Sequence, residues 1–448
     1  MTTIPGRPRK RHRITPPPAI PTIPDDLLVS EIVARLPAAY LLRIRSVCRS
    51  WRAAVKDPAF IRRHLELSRA RPPAILAISL PAAGDDDPEE EKEATAATPS
   101  PARAVVTVRA AHCDGLLAVT ASTGVTAHTT VWNPAIMEFV AVPTASPNAG
   151  AGHFAMVTSV VTAIGFDSST NGYVLSRFFY RVTRVFRDET RADTLVVEHD
   201  GVGHEVLRLG SGGWRLTEDA PFSIDDTVPP VSCARGGGAI YWAAMDPSSG
   251  DAGGEDDDDC DGDANVLLRF SLRDETFAVF PLPPGAGCVG RRDRVAELGG
   301  ELCLARAAAP TAFDVWVAAS AGRMEWSLRW HVDFYRPVGF VAPLAVDAGG
   351  VLLMSVDDED VYRYDKQNRV LEKVADVQEV SRHVRWNWNG SRGEDDVVSS
   401  SCSTDAVQLL VPCVESLVSI CSCSVTRARR DEATQHVSCV SPSVVNFS

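Results

Sequence analysis

Residues 23–67 read IPDDLLVSEIVARLPAAYLLRIRSVCRSWRAAVKDPAFIRRHLEL, with apolar residues spaced for helices on both sides of a proline. The first segment opens with Pro24 and two acids, which helix N-termini favour, and its apolar residues recur on one helical face. Pro37 ends this helix, and a second one begins at about residue 38. A third short helix carries Trp51. The stretch predicts a small all-α unit of three short helices.

These helices carry more large apolar residues than three mutually packed faces can hide, and a unit of this length buries a core only with difficulty. We therefore expect the surplus to face another protein. The alternative is an amphipathic helical hairpin that only caps the domain behind it.

Short motifs follow one another within this stretch in a fixed order. After IPDDLL come Leu36-Pro37, LLR at 41–43, VCR at 47–49 and Trp51. This order resembles the F-box almost position for position. The resemblance implies that the helices dock on a SKP-type adaptor, which is bound to cullin and RING subunits, so that the chain is the substrate-recognition subunit of an SCF-type ubiquitin ligase. The adaptor-binding residues that it implies are Pro24, Leu27, Leu28, Ile32, Leu36, Pro37, Leu41, Leu42, Val47 and Trp51.

Behind the helices, short β-like runs broken by glycine and proline replace the helical spacing. Five of these runs follow a glycine, and the intervals between those glycines are 57, 66, 62 and 50 residues: Gly115, Gly172, Gly238, Gly300 and Gly350. Several units continue with a strand that ends in an aromatic residue and a turn that leads to an apolar residue seven positions on. The pairs are Trp132 and Phe139, Phe270 and Phe277, and Tyr364 and Leu371. The repeat predicts propeller blades, with a twisted β-sandwich as the alternative.

The same region resembles the F-box associated domain of a large plant family over residues 112 to about 420. The matching pieces include CDGLLAV at 113–119, VWNPAIMEFVAVP at 131–143 and IGFDSSTNGYVLSRFF at 164–179. The resemblance implies a large all-β, propeller-like, kelch-like domain that binds the protein to be ubiquitinated. Substrate-binding residues stay unknown, because an acidic insert interrupts the domain and loops form such receptor faces.

The predicted order of domains starts with a basic, proline-rich disordered tail at 1–22, the F-box at 23–67 and an acidic linker at 81–103. The β domain spans 104–424 with an acidic disordered insert at 247–264, and a polar tail spans 425–448. Residues 85–93 and 251–263 carry net charges of −6 and −8, which account for the net charge of −13. The acidity therefore belongs to two inserts rather than to a folded surface.

Several other functions find little support in the sequence. No apolar run is long enough for a membrane span or a signal peptide, which predicts a nuclear or cytoplasmic protein with reduced thiols. The run RPRKRHR is a nuclear import signal, a contact for nucleic acid or only a solvated tail. We expect no cofactor and no metal, since Leu268 occupies the position where a calcium loop starting at Asp257 needs a carboxylate, and the cysteine spacings fit no common zinc site. The sequence shows no catalytic motif, and in the family that it resembles other subunits carry out the ubiquitin chemistry, so a non-catalytic receptor is predicted. A non-ligase interaction scaffold or, less favoured, a nuclear nucleic-acid-associated factor are the alternatives.

Overall fold

The computed structural model describes residues 27–71, 73–79, 107–122, 127–143, 154–156, 162–187, 195–225, 228–233, 238–247, 264–319, 325–347, 349–376, 408–420 and 441–445. Helical segments lie at the N-terminal side, and strands form all the regular structure among the described residues from 74 onward. The tail at 1–22, the linker at 81–103, nearly all of the acidic insert and Pro24 lie outside the described residues.

The helical unit contains four segments rather than the three predicted. Segment α1 is a π-helical stretch, Leu28–Ile32, continued by a 3-10 turn, Val33–Arg35, and α2 spans Ala38–Ile44. Segments α3 and α4 span Arg49–Ala54 and Pro58–Arg69. The prediction omitted α4, although its start is well marked. The Asp57 carboxylate accepts a hydrogen bond from the Ala59 N–H, and proline occupies the first turn.

The described strands form five antiparallel blades and one smaller sheet. Blade 1 contains β2 Thr107–Cys113, β3 Leu116–Ser122, β4 Ala127–Asn133 and β5 Glu138–Ala141. Blade 2 contains β6 Phe154–Met156, β7 Ala163–Asp167, β8 Gly172–Arg187, β9 Leu195–Arg208 and β10 Arg215–Leu216. Blade 3 contains β11 Ser223–Ile224, β12 Val231–Cys233, β13 Ala239–Met245, β14 Val266–Ser271 and β15 Phe277–Phe280.

Blade 4 contains β16 Arg294–Leu298, β17 Glu301–Ala309, β18 Ala312–Ala319 and β19 Glu325–Asp333. Blade 5 contains β20 Val341–Val346, β21 Leu352–Val356, β22 Asp360–Asp365 and β23 Val370–Asp376. The closing sheet has the order β24, β1, β25, with β24 at Gln408–Cys413, β1 at Ala74–Ser79 and β25 at Ser441–Val445.

The blades form a closed ring. The inner strands β2, β7, β12, β16 and β20 contact one another in chain order, and β24 contacts both β20 and β2. The closing sheet places β1, from the N-terminal side, between two strands from the C-terminal side. This sheet uses residues 74–79 and 441–445, which lie outside the predicted domain limits of 104–424. The ring confirms the propeller and excludes the sandwich.

The glycine repeat marks the second main strand of each of the five blades. Each of the five glycines stands at, or one or two residues before, the start of β3, β8, β13, β17 or β21. The three aromatic–apolar pairs are also confirmed, because Trp132 faces Phe139, Phe270 faces Phe277 and Tyr364 faces Leu371 across neighbouring strands. Cross-strand pairs of this kind stabilise the outer part of a blade.

The apolar core lies mainly between neighbouring blades. Phe178 of blade 2 meets Trp242 of blade 3 edge to face, with the ring centres 4.8 Å apart. Between blades 4 and 5, Phe313 and Tyr362 belong to one buried cluster with Met354. A single blade cannot bury both of its faces, so packing against neighbours on both sides stabilises each blade.

Candidate partner-binding surface on the helical segments

An apolar groove of about 480 Å³ runs along α2. Its lining residues are Leu36, Pro37, Tyr40, Arg43, Ile44, Ser46 and Val47. Tyr40 and Val47 remain 56% and 66% exposed. Large apolar side chains that stay exposed around a groove are typical of a surface that binds a partner.

The structure places most of the ten predicted adaptor-binding residues at or near the surface. Leu27, Ile32 and Val47 are exposed. Five others are half-buried: Leu28, Leu36, Pro37, Leu42 and Trp51. The groove brings Leu36, Pro37 and Val47 together and adds Tyr40 and Ile44, which the prediction did not include. Their apolar character in the second helix was the available signal.

Leu41 does not fit the predicted adaptor-binding set, because its side chain is fully buried and is not accessible to a partner. It belongs to a cluster with Val33, Ala38 and Phe60 of the helices and Leu417 of the propeller side. Successive residues of a helix point about 100° apart, so an outward Tyr40 directs Leu41 inward. A charged substitution of Leu41 would therefore disrupt the core rather than test binding.

The opposite side of the helical segments is fixed to the propeller. Ala135 and Ile136, from the turn between β4 and β5, pack against the buried helical cluster. The Ala38 N–H donates a hydrogen bond of 3.1 Å to Oε2 of Glu415. Inside the helical unit, His64 is buried and hydrogen bonds to the Leu36 carbonyl oxygen. Burial lowers the pKa of His64, because it disfavours the charged imidazolium.

An ion pair joins α4 to blade 1. The Arg69 guanidinium donates from Nε and Nη2 to the two carboxylate oxygens of Asp114, at 2.8 and 2.6 Å. The Asp114 side chain is only 5% exposed and also accepts a hydrogen bond from the Tyr173 hydroxyl. Burial opposes the charge on Arg69, but the hydrogen bond and charge of Asp114 outweigh burial and raise the pKa of Arg69. A bidentate pair at this depth fixes orientation as well as distance.

The segment 414–420 lies between the helices and blade 1 and is held by blade 1. The Asn133 amide donates to the carbonyl oxygens of Ser416 and Val418, at 3.1 and 2.8 Å. The Glu138 carboxylate accepts from the Ser419 hydroxyl and the Ile420 N–H. Leu417 and Glu415 of this segment contact the helices. The helices therefore rest on a segment that blade 1 holds in place, here called the platform, and the groove faces outward.

Two family models match the chain in the same order as these two structural units. The F-box domain matches residues 20–63, and the F-box associated beta propeller domain matches residues 75–420. The chain belongs to the plant F-box proteins with an F-box associated domain. Segments α1 to α4 are thus the F-box, and the groove is a feature of the F-box.

Curated relatives support the same family. The Arabidopsis thaliana F-box protein At3g22700 is 33% identical over 263 residues, which cover 57% of this chain and 68% of that protein. The F-box/kelch-repeat protein At1g24800 of the same plant is 24% identical over 279 residues, covering 57% of this chain and 54% of that protein. This F-box protein thus spans about half the length of the first curated relatives that it matches.

Solved structures share only general features with the chain. TolB from Acinetobacter baumannii has 10% identity and a TM-score of 0.36, and the match covers 68% of this chain and 64% of TolB. An oligogalacturonate lyase in complex with manganese has 11% identity and a TM-score of 0.33, with coverage of 59% and 62%. These similarities carry no inference about the function of the F-box protein.

A buried polar trio in blade 2 superficially resembles a catalytic arrangement. The Ser176 hydroxyl lies 2.7 Å from Nε2 of His204, whose Nδ1 hydrogen bonds to the Thr217 hydroxyl. Ser176 and His204 are fully buried, and the His204 ring packs against Phe178 and Phe270. Burial lowers the pKa of His204 to about 3. The trio satisfies polar groups of the blade, and its Ser176 and His204 side chains expose no surface that a substrate could reach.

Other candidate chemistry is sparse within the described ranges. No three histidine, cysteine or acidic side chains of the described residues stand close enough to hold a metal ion. No described helix has the length and apolar character of a membrane span. Cys288 is disulfide-bonded, which departs from the expectation of reduced thiols, whereas five described cysteines are free. Three other predictions concern parts of the chain outside the described residues. They are the import signal, the calcium-like acids at 257–261 and the C-terminal cysteines that were considered for a zinc site.

Proposed function

We propose that this protein is the substrate-recognition subunit of an SCF-type ubiquitin ligase. Its F-box docks on a SKP-type adaptor, and through it on cullin and RING subunits, while the propeller binds the protein to be ubiquitinated. The proposal rests on the difference between the two sides of the F-box. One side is fixed to the propeller by Leu41, Leu417 and Arg69, and the other exposes an apolar groove.

The target protein is proposed to bind the propeller face opposite the F-box. The F-box contacts the turns between β2 and β3 and between β4 and β5 of blade 1. Strands alternate in direction within each blade, so the described ends of β3 and β4 that flank their connection lie at the opposite face. The ends of β13 and β14 that flank the acidic insert lie there too. Connections grouped on one face of a ring of blades favour recognition of a partner, because binding residues are disproportionately found on loops.

The proposed mechanism is proximity rather than catalysis by this chain. The receptor holds a lysine of the target near a conjugating enzyme that other subunits recruit, which replaces a rare encounter by a positioned one. In this family the ubiquitin chemistry belongs to those other subunits. We further propose a nuclear or cytoplasmic location, which imaging of the tagged chain with and without residues 1–22 would test.

Co-purification with a SKP-type adaptor and a cullin tests the function. The variant Tyr40→Asp with Val47→Asp places two carboxylates in the groove without touching the buried core. The matched control, Leu328→Asp with Val279→Asp, changes two exposed apolar residues of the propeller. Wild type and control should retain adaptor and cullin, and the groove variant should lose both. If folded wild-type protein retains no adaptor, the ligase role is wrong, and the chain is a non-ligase propeller scaffold.

A further inference from the structure

The F-box carries a positive charge that contrasts with the rest of the chain. Residues 23–71, which include the F-box and all of α4, contain ten lysines and arginines and five acidic residues, whereas the whole chain has a net charge of −13. Within this unit, Arg35 and Arg63 pair with glutamates on their own helices, and Arg69 pairs with Asp114. The remaining positive charge is therefore not neutralised by these contacts.

Much of that remaining charge lies along α2, α3 and the turn between them, on Arg43, Arg45, Arg49 and Arg52. None of the four forms a salt bridge with a described residue. Arg43 lines the groove, with its guanidinium 5.9 Å from the centre of the Tyr40 ring. The Arg52 Nε–H donates to the Arg45 carbonyl oxygen at 2.9 Å, which ties α3 to the end of α2. Arg43 thus puts a positive charge in the lining of the groove, and the other three arginines follow it closely in the turn and in α3.

We propose that the adaptor surface that enters this groove is acidic. This inference rests on the proposed function and adds the chemistry of the contact. Apolar side chains of the adaptor fill the space between Tyr40, Ile44 and Val47, and carboxylates at their edge approach Arg43 and Arg49. A nucleic acid fits the arginines less well, because a phosphate backbone offers no apolar group for the groove at their centre.

The two parts of the surface act on different rate constants. Charges at the rim of an interface accelerate association and make it sensitive to salt, whereas buried apolar contacts govern dissociation. The screening length is about 8 Å at 0.15 M ionic strength and about 3 Å at 1 M, so salt weakens the contribution of exposed arginines. Association of the F-box with its adaptor should therefore slow as salt increases, with little change in dissociation.

The test measures binding kinetics of the full chain with a purified SKP-type adaptor at low and high NaCl. The variant Arg43→Glu with Arg49→Glu reverses two exposed charges, one in the lining of the groove and one two residues beyond Val47, which also lines it. The control Lys56→Glu with Arg62→Glu makes the same change in net charge at exposed residues that do not line the groove. We expect the groove variant to associate about tenfold more slowly at low salt, with the difference largely gone at high salt. Dissociation should change by less than about threefold, and the control should resemble wild type.

Three outcomes would overturn the inference, and each is distinct from failure of the proposed function. Wild-type association kinetics for the groove variant would show that the adaptor contact is not acidic, although docking would stand. Equal slowing in the control would indicate a net-charge effect without a local acidic contact. Loss of binding to a random-sequence DNA duplex, with unchanged adaptor kinetics, would assign the arginines to nucleic acid. Only the absence of adaptor binding by folded wild type would reject the proposed function itself.

Discussion

Substitutions of two adjacent residues on α2 should have different effects: Leu41→Ala should lower the stability of the protein, and Tyr40→Ala should weaken adaptor binding. Leu41 is fully buried in the cluster that joins the F-box to Leu417, whereas Tyr40 is 56% exposed at the groove. Leu41→Ala removes buried methyl groups and leaves a cavity, and this change costs about 2.7–5 kcal/mol in comparable cores. Tyr40→Ala removes a mostly exposed ring, so the free energy of unfolding should change by less than about 0.5–1 kcal/mol.

The expected effects on adaptor affinity run the other way. An aromatic anchor at the centre of an interface contributes about 2 kcal/mol or more, so Tyr40→Ala should weaken adaptor binding about 30-fold. Leu41→Ala should bind with nearly wild-type affinity under conditions where its F-box remains folded. Urea denaturation gives the free energies of unfolding, and titration calorimetry with the SKP-type adaptor gives the affinities.

Tyr335→Ala is the matched control for the loss of an exposed tyrosine. Tyr335 is 79% exposed on the connection between blades 4 and 5, away from the F-box, and its loss should leave adaptor affinity unchanged. Wild-type adaptor binding by Tyr40→Ala would refute the groove as the contact. A cost below about 1 kcal/mol for Leu41→Ala would refute its place in the core.

Three further substitutions test the platform and the blades. Gly115 has a φ of +78°, and a Cβ added there would overlap the Val414 carbonyl oxygen. Gly115→Ala should therefore lower the free energy of unfolding by about 2 kcal/mol or more, measured by thermal unfolding. If Gly115→Ala is as stable as the control Gly212→Ala, whose added Cβ meets open space, the close approach is wrong. Arg69→Met leaves the Asp114 carboxylate without its bidentate partner and should lower the free energy of unfolding by about 2 kcal/mol. Amide exchange in α4 should become faster, and unchanged exchange would show that the pair does not hold the F-box. The pKa of His204 is lowered to about 3 from an ordinary value of 6.5, so the unfolded chain binds the extra proton between these values, and stability present above pH 6.5 is lost as the pH falls toward 3. This histidine should account for about 2 kcal/mol lost between pH 7 and pH 5, and His204→Gln should reduce that loss; identical pH profiles would exclude it as the cause.

Local signals in the sequence identify much of the propeller. Left-handed turns favour glycine, and four of the five repeat glycines have a positive φ just before a strand, so the sequence alone displays the repeat. The pairs Trp132 with Phe139 and Tyr364 with Leu371 are seven residues apart, and a tight turn brings such neighbours together. The order of the F-box motifs likewise lies within one short stretch.

The sequence by itself determined the family, the blade repeat and the part of the chain that carries the candidate partner-binding surface, because each depends on residues close together along the chain. Only the tertiary structure decided that Leu41 is buried while Tyr40 is exposed, since Leu41 packs in a cluster that joins residues from several helices and includes Leu417, far along the chain. It also decided that β1 closes the ring between β24 and β25. Periodicity reveals that a helix or strand has an apolar face, but the identity of what covers that face depends on long-range packing, which no local pattern encodes.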